Sequence, residues 1–297
     1  ISNEITLGDT NVTKFRVPGI NFTVKDTTAT EDYVLTVDAN GEAGWEAAAA
    51  GGVSSDSDLN TVGGTNAGDS FTSGYRNTCF GYDAGTDITS GLSNDCFGYQ
   101  AGANITGGVD NTALGYKALY TTTGGSYNVA VGKESLELLT SGTKNTSVGW
   151  QSSRNITTGE YNVSLGYKAL LNNTTGGYNT CVGFEAGKAN TTASSISAFG
   201  TKALDANTTG EANVAIGAYA LTENTTASNN VAVGQQSLRA NTTGHSNVSV
   251  GHQALYTGTT GNYNTALGYQ ALYNNTTAGQ NTVIGYKAGR ATTTGAD

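Results

Sequence analysis

Hydrophobic and polar residues recur along residues 60–297 with a period of 17 residues, which gives fourteen repeats. Each repeat opens on Asn, continues with Thr or Val, a small residue and a large apolar residue, and reaches Gly at its fifth position. Seventeen residues are too few for the helix pairs of the common helical repeats, and the short alternation of β-branched residues favours strands. The pattern therefore predicts an all-β chain with fourteen coils of a parallel β-solenoid, each containing two short strands and two turns.

Two positions of the repeat hardly vary. Asn occupies position 1 in thirteen of fourteen repeats, with Ile196 in the other, and position 5 is always Gly. Representative pairs are Asn111 and Gly115, Asn128 and Gly132, Asn162 and Gly166, Asn213 and Gly217, and Asn264 and Gly268. Gly permits turns with positive φ, and stacked Asn amides can hydrogen-bond from coil to coil. We therefore expect both positions to be structural.

The predicted strand at positions 2 to 5 almost lacks charge, since only Asp95 is a charged residue there. Successive strand residues point to opposite faces, so both faces are predicted to be dry. We expect the large residues of position 4, such as Leu114 and Ile216, to fill the interior, and Ile216→Asp to cost several kcal/mol. The small residues of position 3, such as Ala113, are expected to face a neighbouring chain.

The first 59 residues are built differently, with a net charge of −7 from 3 Lys or Arg and 10 Asp or Glu. Residues 1–46 are predicted to form a small β-rich region, and residues 47–59 a linker rich in Ala, Gly and Ser. Such a small region has a marginal core of its own, so we expect it to form in an oligomer. Its predicted strands are Ile5–Leu7, Phe15–Val17, Asn21–Val24 and Tyr33–Val37.

Composition narrows the function classes. The net charge of the 297 residues is −9, which disfavours a nucleic-acid partner, and no apolar run approaches the length of a membrane span. With two His and no triad or paired-carboxylate spacing, we expect no enzyme, no metal and no cofactor. Cys79, Cys96 and Cys181 all occupy position 3, where we expect small buried residues. A chain that starts at Ile1 and has no Met is expected to be a fragment or processed product.

Aromatic residues are the candidates for binding. They recur at positions 6 and 17, where they form either a stacked ladder that stabilises the rod or a partly exposed strip that stacks on sugars. The candidate glycan contacts are Trp150, Tyr167, Tyr161, Tyr116, Tyr269 and Tyr286. The Asn-Thr-Thr sequences at Asn173 and Asn207 match glycosylation sequons, but the repeat itself generates them, which favours a structural turn.

Particular repeats resemble known fibrous proteins. Asn213-Val-Ala-Ile-Gly217 and Asn128-Val-Ala-Val-Gly132 resemble the head repeats of trimeric autotransporter adhesins, although those repeats are shorter. The sequence from Asn264 to Thr277 is more similar to repeats in the tail-fibre proteins of bacteriophages and related viruses. The resemblance implies a left-handed roll and a homotrimer.

The resemblance also implies a function. We expect the structural shaft of a viral attachment fibre involved in host adhesion, located in the virion or at a cell surface. Its expected partners are other fibre or baseplate proteins and a host surface glycan, without membrane insertion. The alternatives are a bacterial adhesin of the autotransporter type and an ice-binding solenoid, the latter because Thr fills position 13 in all fourteen repeats.

Overall fold

The structure is a computed structural model that describes residues 33–37, 43–47 and 53–293. The chain divides into two units, residues 1–49 and 50–297. In the first unit, β1 (Tyr33–Val37) pairs antiparallel with β2 (Ala43–Ala47), so the strand predicted at Tyr33–Val37 is confirmed. The strands predicted at Ile5–Leu7, Phe15–Val17 and Asn21–Val24 lie outside the described residues.

The second unit is a parallel β-solenoid, as the 17-residue period predicts. Strand β3 (Val53–Ser55), inside the predicted linker, pairs antiparallel with β4 (Thr61–Gly63). Each later strand is parallel to the one before it and lies 17 residues further along the chain. These strands are β5 (Thr78–Phe80), β6 (Asp95–Phe97), β7 (Thr112–Leu114), β8 (Val129–Val131), β9 (Thr146–Val148), β10 (Val163–Leu165), β11 (Thr180–Val182), β12 (Ser197–Phe199), β13 (Val214–Ile216), β14 (Val231–Val233), β15 (Val248–Val250), β16 (Thr265–Leu267) and β17 (Thr282–Ile284).

Each described coil contributes one strand of three residues, at positions 2 to 4, and not the two strands expected. The opposite side of the coil is held by the Thr of position 13 in a non-strand conformation. The Thr157 backbone N–H and the Thr157 hydroxyl both donate to the Thr174 carbonyl one coil later, at 2.9 and 3.2 Å. This side chain therefore supplies a contact between coils that a second strand would otherwise make.

Residues in unusual backbone conformations form the corners of the coil. The Gly of position 5 has φ between 121° and 139° in every repeat. A Cβ on Gly132 would lie 2.6 Å from the carbonyl oxygen of Gly149 in the next coil. Positions 7 and 17 adopt the left-handed conformation without Gly, as at Lys168 (φ 53°) and Tyr178 (φ 58°). Such corners are strained for most side chains, so the contacts between coils must hold them.

The inward face of the strand is the opposite of the expected one. Ala113 and Ala215 at position 3 are fully buried, whereas Leu114 and Ile216 at position 4 are 47% and 42% exposed. The expectation that position 4 fills the interior, and the severe cost expected for Ile216→Asp within one chain, are therefore wrong. The interior is filled from the opposite side of the coil by residues such as Leu119 at position 9.

Positions 3 and 9 compensate each other in volume. Where position 9 is Leu, position 3 is Ala or Ser; where position 3 is Cys or Val, position 9 is Gly. A Cβ on Gly187 would lie 2.6 Å from the Sγ of Cys181, so the Gly makes room for the thiol. Cys79, Cys96 and Cys181 are buried and free, which confirms their expected role, and burial raises the pKa of Cys181 to about 12.

Buried Ser hydroxyls of positions 3 and 8 also form pairs. Each position-3 Ser follows a position-8 Ser in the preceding coil, and their Oγ atoms form a hydrogen bond. The pairs are Ser135 with Ser147 at 2.8 Å, Ser152 with Ser164 at 2.7 Å, and Ser237 with Ser249 at 2.7 Å. The Ser237 hydroxyl also donates to the Ser249 carbonyl at 2.9 Å and the Ser249 hydroxyl to the Ala254 carbonyl at 2.8 Å, so this buried pair is satisfied by the backbone as well as by the partner hydroxyl.

Replacing Gly132 with Ala should destabilise the solenoid by about 2 kcal/mol or more, because the new methyl meets a backbone carbonyl and the φ of 124° disfavours a side chain. Urea unfolding monitored by circular dichroism measures the change. Gly124→Ala is the matched control, since nothing lies within 4 Å of its added Cβ. Equal midpoints for the two variants would contradict the steric argument.

Candidate functional surfaces

The Asn residues of position 1 form a buried ladder along the solenoid. Asn145 donates its backbone N–H and its Nδ2–H to Oδ1 of Asn128, at 3.0 and 3.1 Å. Its Nδ2 also donates to the Gly159 carbonyl at 2.9 Å. The same pattern continues through Asn162, so each amide links three parts of the rod. The predicted coil-to-coil role of this position is therefore confirmed.

A second Asn ladder occupies position 12. Asn190 donates to Oδ1 of Asn173 at 3.0 Å, and Asn207 donates to Oδ1 of Asn190 at 3.1 Å. These side chains are buried, so they are not accessible acceptors for glycosylation in the folded chain. The recurrence of Asn-Thr-Thr every 17 residues was the signal for this ladder, but sequence reasoning identified only a turn. The second ladder bridges the coil in which Ile196 interrupts the first.

Asp56 begins the first ladder in place of a preceding Asn. Its Oδ1 accepts the backbone N–H groups of Asn60 and Asp58 at 2.8 and 3.0 Å. Its Oδ2 accepts Nδ2 of Asn60 at 2.9 Å. The hydrogen bond from the Asn60 side chain lowers the pKa of Asp56, and the two backbone N–H groups act in the same direction.

The outward face of the parallel sheet, which we call the strand face, carries a continuous row of apolar side chains at position 4 and a mixture of Val with Thr, Ser and Asp at position 2. It consists of the position-2 and position-4 side chains of the solenoid. Position 4 is apolar in every coil from Phe80 to Ile284. Leu114, Leu165, Ile216 and Leu267 are each more than 40% exposed. A contiguous exposed apolar row of this length is typical of a site of association.

The position-6 aromatics form stacked ladders rather than isolated platforms. Tyr99 stacks on Tyr82 and Tyr116 with ring centroids 5.4 and 5.3 Å apart and interplanar angles of 8°. Trp150 is tilted by 42° against Tyr167, at a centroid distance of 4.9 Å. A ring inside the stack, such as Tyr99, therefore presents mainly its edge to solvent, because the neighbouring rings cover its faces.

The structure brings the candidate glycan contacts together only in pairs. Trp150 and Tyr167 are neighbours, and the Lys168 ammonium lies 5.0 and 5.2 Å from their ring centroids. Lys133 stands between Tyr116 and Trp150 in the ladder, with its ammonium 5.2 Å from the Tyr116 ring. The described contacts therefore separate Tyr116 from the Trp150 pair.

Of the remaining candidates, two pair with each other, and Tyr161 pairs with Tyr178, which is not a candidate. Tyr269 and Tyr286 stack at 5.3 Å near the end of the described chain. Tyr161 belongs to position 17, where it stacks on Tyr178 at 4.8 Å and its hydroxyl accepts the Lys144 ammonium at 3.0 Å. Glycan contact by all these residues stays a prediction.

The hydroxyls of the Thr column that suggested ice binding form hydrogen bonds within the chain. Hydroxyls of position 13, such as those of Thr140 and Thr174, donate to the carbonyl of the next Thr in the column at 3.0 Å.

Within residues 53–293, no group of three His, Cys, Asp or Glu side chains is placed to hold a metal ion. The described residues also contain no helix long and apolar enough to cross a membrane.

Lowering the pH from about 5 to about 3 should loosen the start of the ladder. The folded pKa of Asp56 lies below its unfolded value, so its stabilisation is present above the unfolded pKa of about 3.9 and is lost as the pH falls through the folded pKa. Hydrogen exchange of the Thr61 amide, corrected for intrinsic rates, measures the effect. Asp56→Asn keeps an acceptor without the charge and should flatten the response; an unchanged pH dependence in this variant would refute the assignment.

Replacing both Trp150 and Tyr167 with Ala should weaken retention on an immobilised host polysaccharide at least tenfold, if these rings contact sugar. An aromatic ring matches the apolar face of a sugar and loses little side-chain entropy on binding. Biolayer interferometry measures retention, and Tyr82→Ala in the other ladder is the matched control. A lower melting temperature with unchanged retention would show that the pair serves architecture alone.

Comparisons with known proteins give no relative. No protein-family model, no curated protein and no solved structure matches this chain. The resemblance to fibre and adhesin repeats therefore rests on the repeat residues themselves.

Proposed function

We propose that this chain is the structural shaft of an extracellular attachment fibre, assembled from three copies that pack through their strand faces. The observation that carries the proposal is the exposed apolar row at position 4. The resemblance of the repeats to viral tail-fibre sequences supplies the copy number, the location in a virion and the role in host adhesion. The proposal assigns the chain no catalytic role and no cofactor.

The strand face has the composition of an interface core. Each chain leaves Leu165 48% exposed and Ile216 42% exposed on the same side of a regular sheet. Burial of such area stabilises association by about 25 cal/mol per Å². Across positions 2 and 4 only Asp95 adds a charge, so desolvation of a charged group opposes packing at one coil only, while hydroxyls such as those of Thr146 and Thr180 at position 2 add a smaller polar contribution.

The rod itself supports a spacer function. Parallel strands are about 4.8 Å apart, so fourteen coils extend roughly 65 Å. Each coil contacts its neighbours along the rod through the same hydrogen bonds, which lets length grow without a new core. Such a shaft would connect other fibre or baseplate proteins with the part that meets a host surface glycan.

A bacterial surface adhesin of the trimeric autotransporter type is the second candidate. It is favoured by repeats such as Asn213-Val-Ala-Ile-Gly217. The two candidates share the trimer and differ in the neighbouring sequence. A membrane-anchoring domain downstream in the full reading frame would favour the adhesin, and a receptor-binding tip or folding chaperone would favour the fibre.

In solution, the chain should sediment at three times its monomer mass of 30.2 kDa. Leu165→Asp combined with Ile216→Asp should shift it to monomer while each chain keeps its β-type circular dichroism spectrum, because both side chains point outward. Thr192→Asp with Thr209→Asp is the matched control on exposed positions away from the strand face. Sedimentation equilibrium distinguishes these outcomes.

Two results would contradict the assembly. The first is a stable folded monomer of the wild-type chain. The second is a double Asp variant in the strand face that keeps the wild-type mass.

A further inference from the structure

A groove between two coils near the end of the described chain has the lining of a small polar ligand site. It has a volume of about 330 Å³ and is lined by Thr260, Asn262, Tyr263, Thr277, Gly279 and Gln280. These residues come from positions 14, 16 and 17 of two successive repeats, which are separate from the strand face and from the position-6 ladder. Thr260, Tyr263, Thr277 and Gln280 are exposed, so the groove is open to solvent.

The groove exists because of one glycine. At position 16, Asn262 is followed one coil later by Gly279, which has no side chain to fill the space. A Cβ on Gly279 would lie 2.8 Å from the Asn262 carbonyl oxygen, so the two coils approach closely at the floor of the groove. The Asn262 carbonyl also accepts the Gln280 N–H at 2.9 Å, which fixes the two walls relative to each other.

One wall is an aromatic ring held in place from the preceding coil. Tyr263 is 58% exposed, and its ring makes an edge contact with the His245 ring at 5.0 Å and 88°. Asn262 Oδ1 accepts the His245 backbone N–H at 2.8 Å, which anchors the same corner. At position 17 of the next coil stands Gln280 and not another aromatic, so no rung stacks on Tyr263 from that side.

The other lining groups are neutral and available. Among the described residues, the hydroxyls of Thr260 and Thr277 and the side-chain amide of Gln280 take no hydrogen bond within the chain. None of the six lining residues is charged. An aromatic face combined with free hydroxyls and amides recognises a ring that has apolar C–H groups on one face and hydroxyls at its edge.

The chain contains a filled version of the same groove for comparison. Gly177 follows Glu160 at position 16, and a Cβ on Gly177 would lie 2.9 Å from the Glu160 carbonyl oxygen. There, Tyr178 occupies the place of Gln280 and stacks on Tyr161 at 4.8 Å. The Tyr161 face is thus covered, and a carboxylate stands where the open groove has an amide.

We propose that the groove at Tyr263 binds a neutral sugar ring, with the ring stacked on Tyr263 and its hydroxyls bonded to Thr260, Thr277 and Gln280. An acidic sugar finds no cation among the lining residues, so the site discriminates against carboxylated sugars. The site lies within one chain and does not require the proposed trimer. The site rests on the proposed function in one respect: it specifies that the host glycan contacted by the fibre contains neutral sugars.

Saturation-transfer difference NMR of the full chain tests the proposal. The probes are the methyl glycosides of glucose, galactose and mannose, N-acetylglucosamine, and N-acetylneuraminic acid as the acidic comparison. We expect transfer to at least one neutral sugar and at least tenfold less to the acidic one. Tyr263→Ala should abolish the transfer, and Thr277→Val should weaken it severalfold.

Gln280→Tyr is the decisive variant, because it should reproduce the filled groove. The φ of Gln280 is 63° and that of Tyr178 is 58°, so the backbone accepts tyrosine at this position. This variant should fold, with an unchanged circular dichroism spectrum and melting temperature, and lose sugar binding. Tyr178→Phe, which keeps a ring stacked on Tyr161 in the filled groove, should leave binding unchanged.

Several outcomes would overturn the site. They are no transfer from any neutral sugar, equal transfer to the acidic sugar, or transfer that survives both Tyr263→Ala and Gln280→Tyr. Sedimentation of the same samples reports the fibre assembly separately, so failure of the groove and failure of the trimer are distinguishable.

Discussion

The fold depends on the hydrogen bonds that the position-1 Asn of one coil makes with the same residue of the preceding coil, a ladder interrupted at Ile196. The buried amide of Asn145 is satisfied because Asn128 lies one coil before it and Asn162 one coil after it. A buried polar group without its partner costs about 1–3 kcal/mol, so loss of register by one residue would leave the whole ladder unsatisfied. This requirement explains why the 17-residue period runs through fourteen repeats without an insertion.

The narrow interior is the second constraint, and it follows from the short coil. Residues from the strand and from the opposite turn share one layer, so a large residue at one position leaves room only for a smaller residue at the other. Leu119 therefore faces Ala113, and Gly187 faces Cys181. Because close-packed interiors tolerate neither voids nor overlap, a change at one position requires a compensating change at the other.

The same narrowness determines the outer surface. Large residues of the strand, such as Leu165, have no room inside and are placed on the strand face. Exposure of this apolar row to water is unfavourable in a monomer. This cost is the physical basis of the proposed fibre. The aromatic ladder and the Tyr263 groove lie at other repeat positions, so different positions of the 17-residue repeat provide the core, the exposed apolar row and the groove, which forms between two coils.

Periodicity alone was sufficient to predict the solenoid, its parallel strands, the Asn ladder and the burial of the Cys residues, because these features repeat and depend on local spacing. It could not decide which face of the strand points inward. Alternation separates Ala113 from Leu114 but assigns neither to the core, and the usual expectation that large apolar residues are inside was wrong here. Sequence also indicated aromatic contacts without showing that most rings cover one another, or that a glycine and a glutamine leave the Tyr263 face open. Only the tertiary structure decides these points, since they depend on how one coil lies on the next and on the width of the space between its two sides.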